Sequence, residues 1–414
     1  MKRGVIAILF ALLAGGCAAS PQVRQRALVD WPPAVREFAS PAQAARVSTL
    51  FPNSAGMQRR RLAAAVQARD PAEAADALRR LAGMGAVLSE AGQAQAAQLV
   101  GAERMAPIAA QFAANAVPVA ASRLHASIPA GHDLVEGVVW DSAAGRLYAT
   151  TVVGRALLAV DPVGTSVAVP PGPASLFGAA YDPDRKRIWI ASASVAQTPK
   201  VEFAFVGLLV FDPVRPGEPR RIPAPAGMTA NPGDVTIARD GTAYASDGLN
   251  GALYRCRPGC ADLEVLLPPG TLFSPQGLAL SPDQERLYIA DRRYGIAMLQ
   301  RASGRLLLVR GDDGMMLDGI DGLVAHGNDL IGIQTAYAPA RIVRLALSDD
   351  GLRVGRLDVL ERAHPEWGEI TLGTVAGDRL LYVGNAQWER YGESGVPVAG
   401  KPALPTPIRS LELR

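Results

Sequence analysis

From about Ser122 to the C-terminus, the hydrophobic residues fall in short runs that each follow a turn rich in Gly or Asp, a pattern that predicts β-strands throughout. One phrase returns six times, a turn followed by a strand with an aromatic residue or Ile at its centre. The six central residues are Tyr148, Trp189, Tyr244, Tyr288, Ile331 and Tyr382. The steps between them are 41, 55, 44, 43 and 51 residues, which suits one four-stranded blade per repeat. The chain is therefore predicted to be mainly β, with a six-bladed β-propeller preceded by a small α-helical segment.

The first repeat predicts strands at 136–140, 146–151, 156–160 and 165–169, from the innermost to the outermost. The last residues, 408–414, align with a third strand, so the sixth blade lacks its outer strand. The segment 123–129 precedes the first blade and can supply it. Such closure would hydrogen-bond both ends of the β domain and remove free sheet edges.

Residues 20 to about 118 are rich in Ala, Gln and Arg and poor in aromatic residues. Asp70 and Ser89 are candidate N-caps, and apolar residues such as Ala75, Leu78 and Ala82 recur at helical spacing. We predict two to four short helices that form a spacer or cap, an interpretation favoured over a single tetratricopeptide-like hairpin. The predicted domains are a leader at 1–16, the helical segment at 17–118 and the propeller at 119–414.

The N-terminus has the features of a bacterial export signal. Lys2 and Arg3 precede an apolar run at 5–13 and small residues that end at Cys17. Cys17 is the predicted site of lipidation, and Ala18 after it favours the periplasmic side of the outer membrane, with the lipid as the only membrane contact. Ala14 stands where such signals usually have Leu, so a soluble periplasmic or secreted protein is the alternative.

The other two cysteines, Cys256 and Cys260, flank a Pro-Gly turn that can bring their sulfurs together. In an oxidising compartment we expect a disulfide that staples a propeller hairpin. A metal or redox role is the alternative, and the lack of a nearby His disfavours it.

Composition excludes several classes of function. The chain has 414 residues, 49% of them hydrophobic, and a net charge of only +3, so nothing indicates nucleic-acid binding. After the leader, no apolar run approaches the roughly 20 residues that span a bilayer. The four histidines lack metal-ligand spacing, and neither a nucleophile elbow nor a phosphate-binding loop is present.

The register of the blades indicates a site. Counting back from the central residues aligns one position at the start of the innermost strand in the first five blades, where the strands converge on the central tunnel. These aligned residues are Glu136, Phe177, Gly233, Gln276 and Asp321. Glu136, Gln276 and Asp321 are oxygen donors, which suits a divalent ion such as Ca²⁺ with waters in the remaining positions. The alternative is that they are solvated strand ends or bond to backbone amides of neighbouring blades.

The propeller region, about 125–414, resembles the senescence marker protein (regucalcin)/gluconolactonase family. The likeness rests on the segments 135–140, 234–241, 274–283 and 319–323. It implies that Glu136, Gln276 and Asp321 hold a metal ion. Two departures matter: Gln276 stands where the family has Asn, and Gly233 replaces a second Asn, a loss that Asn231 is placed to offset.

A second resemblance, to exported bacterial members of unassigned substrate, rests on the segments 319–323, 331–334, 339–345 and 384–388. The candidate substrate-binding residues are Asn231, Asp234, Gln334, Arg341, Glu369 and Trp388. Interblade packing is the alternative for Arg341 and Trp388.

Two functional hypotheses follow. The first is a metal-dependent hydrolase of lactone-like esters in which Asp321 also accepts the proton of the attacking water. The second is a non-catalytic, lipid-anchored propeller that binds a small molecule, or an envelope protein through its helices.

Overall fold

The structure, a computed structural model, describes residues 28–33, 35, 40–161, 164–170, 172, 174–201 and 204–414. The predicted leader and Cys17 lie outside the described residues. Within them, the β region forms six four-stranded antiparallel blades.

Blades one to three follow the predicted order, with the innermost strand first. Blade one contains β2 (Val135–Asp141), β3 (Arg146–Thr151), β4 (Leu157–Asp161) and β5 (Gly164–Val169). Blade two contains β6 (Ser175–Asp182), β7 (Arg187–Ala193), β8 (Gly207–Phe211) and β9 (Arg220–Pro223). Blade three contains β10 (Asp234–Ile237), β11 (Ala243–Asp247), β12 (Ala252–Cys256) and β13 (Glu264–Leu267).

Blades four and five share an edge. Blade four contains β14 (Pro275–Leu280), β15 (Arg286–Asp291), β16 (Gly295–Gln300) and β17 (Leu306–Gly311). Blade five contains β18 (Ile320–His326), β19 (Asp329–Gln334), β20 (Arg341–Leu347) and β21 (Arg353–Arg362). The outer strands β17 and β21 pair in parallel, so the two blades form one eight-stranded sheet.

Blade six closes the ring as the sequence predicts. It contains β22 (Gly373–Ala376), β23 (Arg379–Val383), β24 (Thr406–Glu412) and, as its outer strand, β1 (Arg123–Ile128). The innermost strands contact one another in sequence, and β22 contacts β2. Both ends of the β domain are therefore hydrogen-bonded into the same blade.

The six central residues of the repeat are buried, each 6% exposed or less. They pack between blades, because Tyr148 clusters with Ile188 and Ile190 of blade two, and Tyr244 clusters with Leu287 of blade four. Burial of such aromatic surface between sheets is the main force that holds neighbouring blades together.

The described part of the helical segment has five helices rather than two to four. They are α1 (Pro41–Leu50), α2 (Ala55–Ala68), α3 (Pro71–Gly83), α4 (Glu90–Val100) and α5 (Ala102–Ala116). The predicted caps are present, since Asp70 accepts the amides of Ala72 and Glu73 and Ser89 accepts that of Gly92. The prediction undercounted because α4 and α5 are separated only by Gly101, whose φ of 87° interrupts an Ala-rich run without a polar break. None of the helices in the described residues is long and apolar enough to span a bilayer.

The helices pack against blades four and five, as a cap would. The Phe51 ring stacks on Tyr294 at 4.2 Å between ring centroids. Asn53 Nδ2 donates to the carbonyl oxygens of Asp312 and Met315. On blade three, away from this contact, Cys256 and Cys260 form the expected disulfide.

Candidate functional site

An open pocket of about 650 Å³ lies at one end of the central tunnel, where the innermost strands begin. Glu136, Gln276 and Asp321 all line it, each as the second residue of its strand. At each of the three the strand pairing shifts register, which marks a β-bulge. Bulges re-aim side chains, so the local backbone explains how three strand residues converge on one space.

A glycine follows each of these positions, and in blades two and four the close approach of neighbouring strands requires it. A Cβ on Gly277 would lie 2.3 Å from the backbone nitrogen of Leu323 on the next inner strand. A Cβ on Gly178, the equivalent in blade two, would lie 2.0 Å from Asp234 Oδ1. The repeated glycines thus bring the inner strands close enough for their first side chains to share one pocket.

Glu136 carries a strongly perturbed carboxyl group. Burial, and then the negative charge of Asp321, raise its pKa to about 8. The indole Nε1 of Trp388 donates to Glu136 Oε2 at 2.7 Å, which opposes that rise. The ionised form of Glu136 would therefore be favoured by a further positive charge.

Asp321 is held from two sides. Thr335 Oγ1 donates to its Oδ2 at 2.9 Å, and Arg292 Nη1 lies 3.7 Å from its Oδ1. The Arg292 side chain is 42% exposed, and among the described residues that line the pocket it is the only cationic one. Its charge is therefore available both to Asp321 and to a bound molecule.

Asp234 opens β10 and also lines the pocket. Burial raises its pKa to about 7, with a contribution from the charge of Asp321. Gln276 directs its amide nitrogen to Ser274 Oγ at 3.0 Å, so the amide oxygen is the atom left for a ligand. The pocket thus contains four carboxyl groups, the fourth on Glu369, and two side-chain amides, the second on Asn231.

The donor set suits a hard cation in chemistry, since every predicted ligand atom is an oxygen. In the part of the chain that the structure describes, no three His, Cys, Asp or Glu side chains form a metal-binding group. The predicted set contains only two carboxylates and relies on an amide and waters for the rest. The raised pKa of Glu136 is the observation that favours a cation, because a positive charge would relieve it.

Among the predicted substrate-binding residues, Asn231, Asp234, Glu369 and Trp388 line the pocket. The structure does not place Gln334 and Arg341 there, which corrects the prediction. They are 2% and 4% exposed, and Arg341 Nε donates to Gln334 Oε1 while its Nη1 donates to the carbonyl of Met84 in the helical domain. Their polar atoms serve the contact between helices and propeller.

Sequence reasoning missed Arg292 and Thr335. Arg292 stands between Asp291 and Arg293, and nothing in that charged run shows which side chain faces the tunnel. The signal that could have found both is their position at or just after the end of a second strand, beside the starts of the inner strands.

No known protein-family profile matches the chain, and no curated protein sequence matches it either. Solved structures similar to it include a gluconolactonase from Xanthomonas campestris, at 18% identity and a TM-score of 0.49, covering 72% of this chain and 100% of that one. A regucalcin from Agrobacterium tumefaciens, described as a calcium-binding protein, shares 15% identity at a TM-score of 0.46, covering 70% and 96%. A virginiamycin B lyase from Staphylococcus aureus shares 12% at 0.48, covering 71% and 100%.

The first two proteins carry the names of the family that the sequence resembles, and the third is named for a different reaction. At these identities and TM-scores, the comparisons add no argument about activity to what the strand pairings and the site already provide.

Proposed function

We propose that the tunnel mouth hydrolyses lactone-like esters with the help of a divalent cation, Ca²⁺ being favoured, held by Glu136, Gln276 and Asp321. The observation that carries this proposal is the carboxyl cluster in one pocket, where burial and the charge of Asp321 raise the pKa of Glu136 to about 8. Such perturbed groups gather at functional sites because binding or catalysis offsets their cost. When bound, a cation of this kind polarises an ester carbonyl and lowers the pKa of water.

The side chains divide the remaining work. Asp321 accepts a proton from the water that attacks the carbonyl carbon, and Thr335 holds its carboxylate in place at 2.9 Å. The ring C–O bond then breaks. Asp234, whose pKa of about 7 suits proton donation near neutrality, protonates the leaving alkoxide oxygen.

Arg292 stabilises negative charge on the substrate. The carbonyl oxygen becomes negative during attack, and the product is a carboxylate. A guanidinium that is 42% exposed in the pocket can donate to both. Trp388 and Glu369 border the same space.

The test is elemental analysis of the purified protein, followed by acid release from D-glucono-1,5-lactone before and after chelation. We expect bound divalent metal and turnover that falls on chelation and returns with Ca²⁺. Glu136→Gln should lose both, whereas Glu366→Gln, on an exposed side chain that pairs with Arg409, should lose neither. Metal-free protein with full turnover, or metal without turnover of any lactone tested, would contradict the proposal.

A second function, non-catalytic binding of a small molecule, is favoured by one observation. Arg292 lies 3.7 Å from Asp321 and supplies a resident positive charge where a metal ion would otherwise compensate that carboxylate. This alternative predicts ligand binding without metal and without turnover.

We also propose export and lipid anchoring at the periplasmic side of the outer membrane through Cys17. The support is the N-terminal sequence pattern alone. Cys17→Ser should release the protein from the membrane fraction, and its retention there after a salt wash would contradict the anchor.

A further inference from the structure

We propose that the helical domain positions the tunnel-mouth site, and that Asp318 is the positioning residue through which it acts. Asp318 lies three residues before Asp321, in the loop that leads into β18. This inference rests on the proposed function only for the chemistry of the site, since the contacts themselves are independent of it.

The N-terminus of α2 binds the side chain of Asp318 directly. The Asp318 carboxylate is fully buried and accepts the backbone amides of Ala55 and Gly56, both at 2.9 Å. The Ser54 hydroxyl lies 2.8 Å from the same carboxylate, and Tyr337 donates to it at 2.9 Å. A propeller side chain therefore satisfies helix amides that would otherwise lack partners.

The fit at this contact is tight on the helix side as well. A Cβ on Gly56 would lie 2.6 Å from the Tyr337 hydroxyl and 3.3 Å from Asp318 Oδ2. Glycine is poor inside a helix, so its use here is explained by the close approach of α2 to Asp318.

Hydrogen bonds connect the contact at Asp318 to the pocket. Gly319, next to Asp318, donates its amide to the carbonyl of Arg292, and its own carbonyl accepts the amide of Thr335. Thr335 Oγ1 in turn donates to Asp321 Oδ2. Gly319 is thus hydrogen-bonded to the backbones of both Arg292 and Thr335, and the side chains of these two residues contact Asp321.

Asn53 makes a second set of hydrogen bonds to the same loop. Asn53 accepts the amide of Gly311 and donates to the carbonyls of Asp312 and Met315, and its own carbonyl accepts the amide of Leu317. The loop before β18 is therefore bound over most of its length by one short segment of the helical domain.

These contacts do more than stabilise the fold, because the series of hydrogen bonds that starts at Asp318 ends at Asp321 Oδ2, an atom of the site. No described residue of the helical domain lines the pocket, so the helices affect the site through the propeller residues that they contact. These include the loop before β18 and the segment 338–341, where Val87 donates to the carbonyl of Ala338 and the carbonyl of Met84 accepts from Arg341. Residues that orient a metal ligand typically change affinity or activity about 10-fold to 100-fold when they are lost.

The experiment compares Asp318→Asn and Gly56→Ala with wild type, using the whole chain. Gly83→Ala is the matched control, since Gly83 is also a helical glycine but a Cβ there meets nothing within 4 Å. Three quantities are measured: Ca²⁺ affinity by calorimetry, kcat and KM for D-glucono-1,5-lactone, and hydrogen exchange of the amides at 319–323.

We expect both test variants to weaken Ca²⁺ binding and lower kcat/KM by about tenfold or more, with faster exchange at 319–323, at a temperature where both remain folded. Gly83→Ala should match wild type in all three. Variants that only melt earlier, with unchanged affinity, kinetics and exchange, would show a merely structural role and overturn the inference. If wild type itself neither binds Ca²⁺ nor turns over the lactone, the proposed function fails. The exchange rates at 319–323 alone then decide whether the contact between α2 and Asp318 positions the start of β18.

Discussion

Two additions to the propeller are connected to the tunnel-mouth site, and they act on it in different ways. The helices pack against blades four and five, where the amides of Ala55 and Gly56 donate to the side chain of Asp318. Gly319, the next residue, bonds the backbones of Arg292 and Thr335 at the site. On the other side, the loop 384–405 between β23 and β24 places the side chain of Trp388 in the pocket, where it donates to Glu136.

The loop is also fastened to the propeller rather than left open. Tyr391 donates to Asp133 Oδ1 at 2.7 Å before blade one, and the amide of Ser394 donates to the carbonyl of Ala196 in blade two. The comparison teaches that the loop side tunes the charge of one predicted ligand, Glu136, whereas the helical side determines the placement of another, Asp321.

The largest effect is expected from Asp321→Ala, on the helical side. It removes a predicted ligand and the proposed base together, so metal affinity and lactone turnover should both fall by more than about 100-fold, the upper range for loss of an outer-shell partner. Calorimetry and steady-state kinetics provide the measurement. Asp329→Ala, in the same blade but paired with Arg344, is the control, and equal losses in both variants would show that the blade rather than the site was damaged.

On the loop side, Trp388→Phe should weaken metal binding by about tenfold at pH 7, because hydrogen bonds to charged groups are worth about 1.5–3 kcal/mol. The lost N–H donor raises the pKa of Glu136 further above about 8, so less of it is ionised at neutrality. The deficit should therefore shrink as the pH is raised to 9. Trp367→Phe removes an indole N–H that bonds Tyr382, outside the pocket, and should show no such pH dependence. A deficit that is the same at pH 7 and pH 9 would contradict the electrostatic role.

The two sides also differ in the highest pH up to which they affect stability. Burial raises the pKa of Asp318 to about 6 and that of Glu136 to about 8 in the folded protein. Both values exceed the ordinary carboxyl pKa near 4, so the associated stability is present at low pH and lost as the pH rises through about 6 and about 8.

Without added metal, Asp318→Asn should therefore flatten the pH dependence of the melting temperature between about pH 4 and 6, and Glu136→Gln should flatten it from about pH 4 up to pH 8. Ca²⁺ should raise the wild-type melting temperature more at pH 8 than at pH 6, because only ionised ligands bind it well. Thermal melts across this range test both statements, and a Ca²⁺ effect that is equal at the two pH values would argue against Glu136 as a ligand.

A smaller change is expected from Gln276→Asn, which tests the third predicted metal ligand. The shorter amide restores the residue that the resembled family uses, and metal affinity should rise several-fold by calorimetry. Gln276→Ala should lower it. If Asn binds no better than Ala, the amide oxygen is not a ligand.

The smallest effect at the mouth is expected from opening the disulfide, which lies apart from both sides. Replacing Cys256 and Cys260 with Ala should cost about 2 kcal/mol of unfolding free energy, since the closed loop is short. Metal affinity and turnover should stay at wild-type values. A loss of either one would mean that blade three transmits strain to the site.

Much of the propeller could be predicted from its repeats. Local turns and buried central residues such as Tyr148 and Tyr382 recur in each blade, and hydrogen bonding between adjacent strands then leaves few alternatives. The starts of the inner strands could be aligned for the same reason, which is why Glu136, Gln276 and Asp321 were found to share one pocket. Their role as metal ligands stays a prediction.

Gln334 and Arg341 show where this reasoning ends. Both lie near the mouth in the repeat, yet they are buried and bond to each other, and Arg341 also donates to the carbonyl of Met84 in the helical domain. The helical domain contacts only some of the blades, and the repeat pattern contains no information about which ones. The sequence could therefore not distinguish a polar residue at the mouth from one at the contact between helices and propeller.

The sequence by itself determined the number of blades and the disulfide, because each depends on local pattern or on residues close along the chain. It also determined the closure of the ring by β1, because counting strands along the repeat leaves the sixth blade without an outer strand. Only the tertiary structure decided that Arg292 faces Asp321, that Trp388 bonds Glu136 and that α2 holds Asp318. These contacts join residues 29, 252 and 263 positions apart. Their existence depends on how separate elements pack together, which no local period in the chain records.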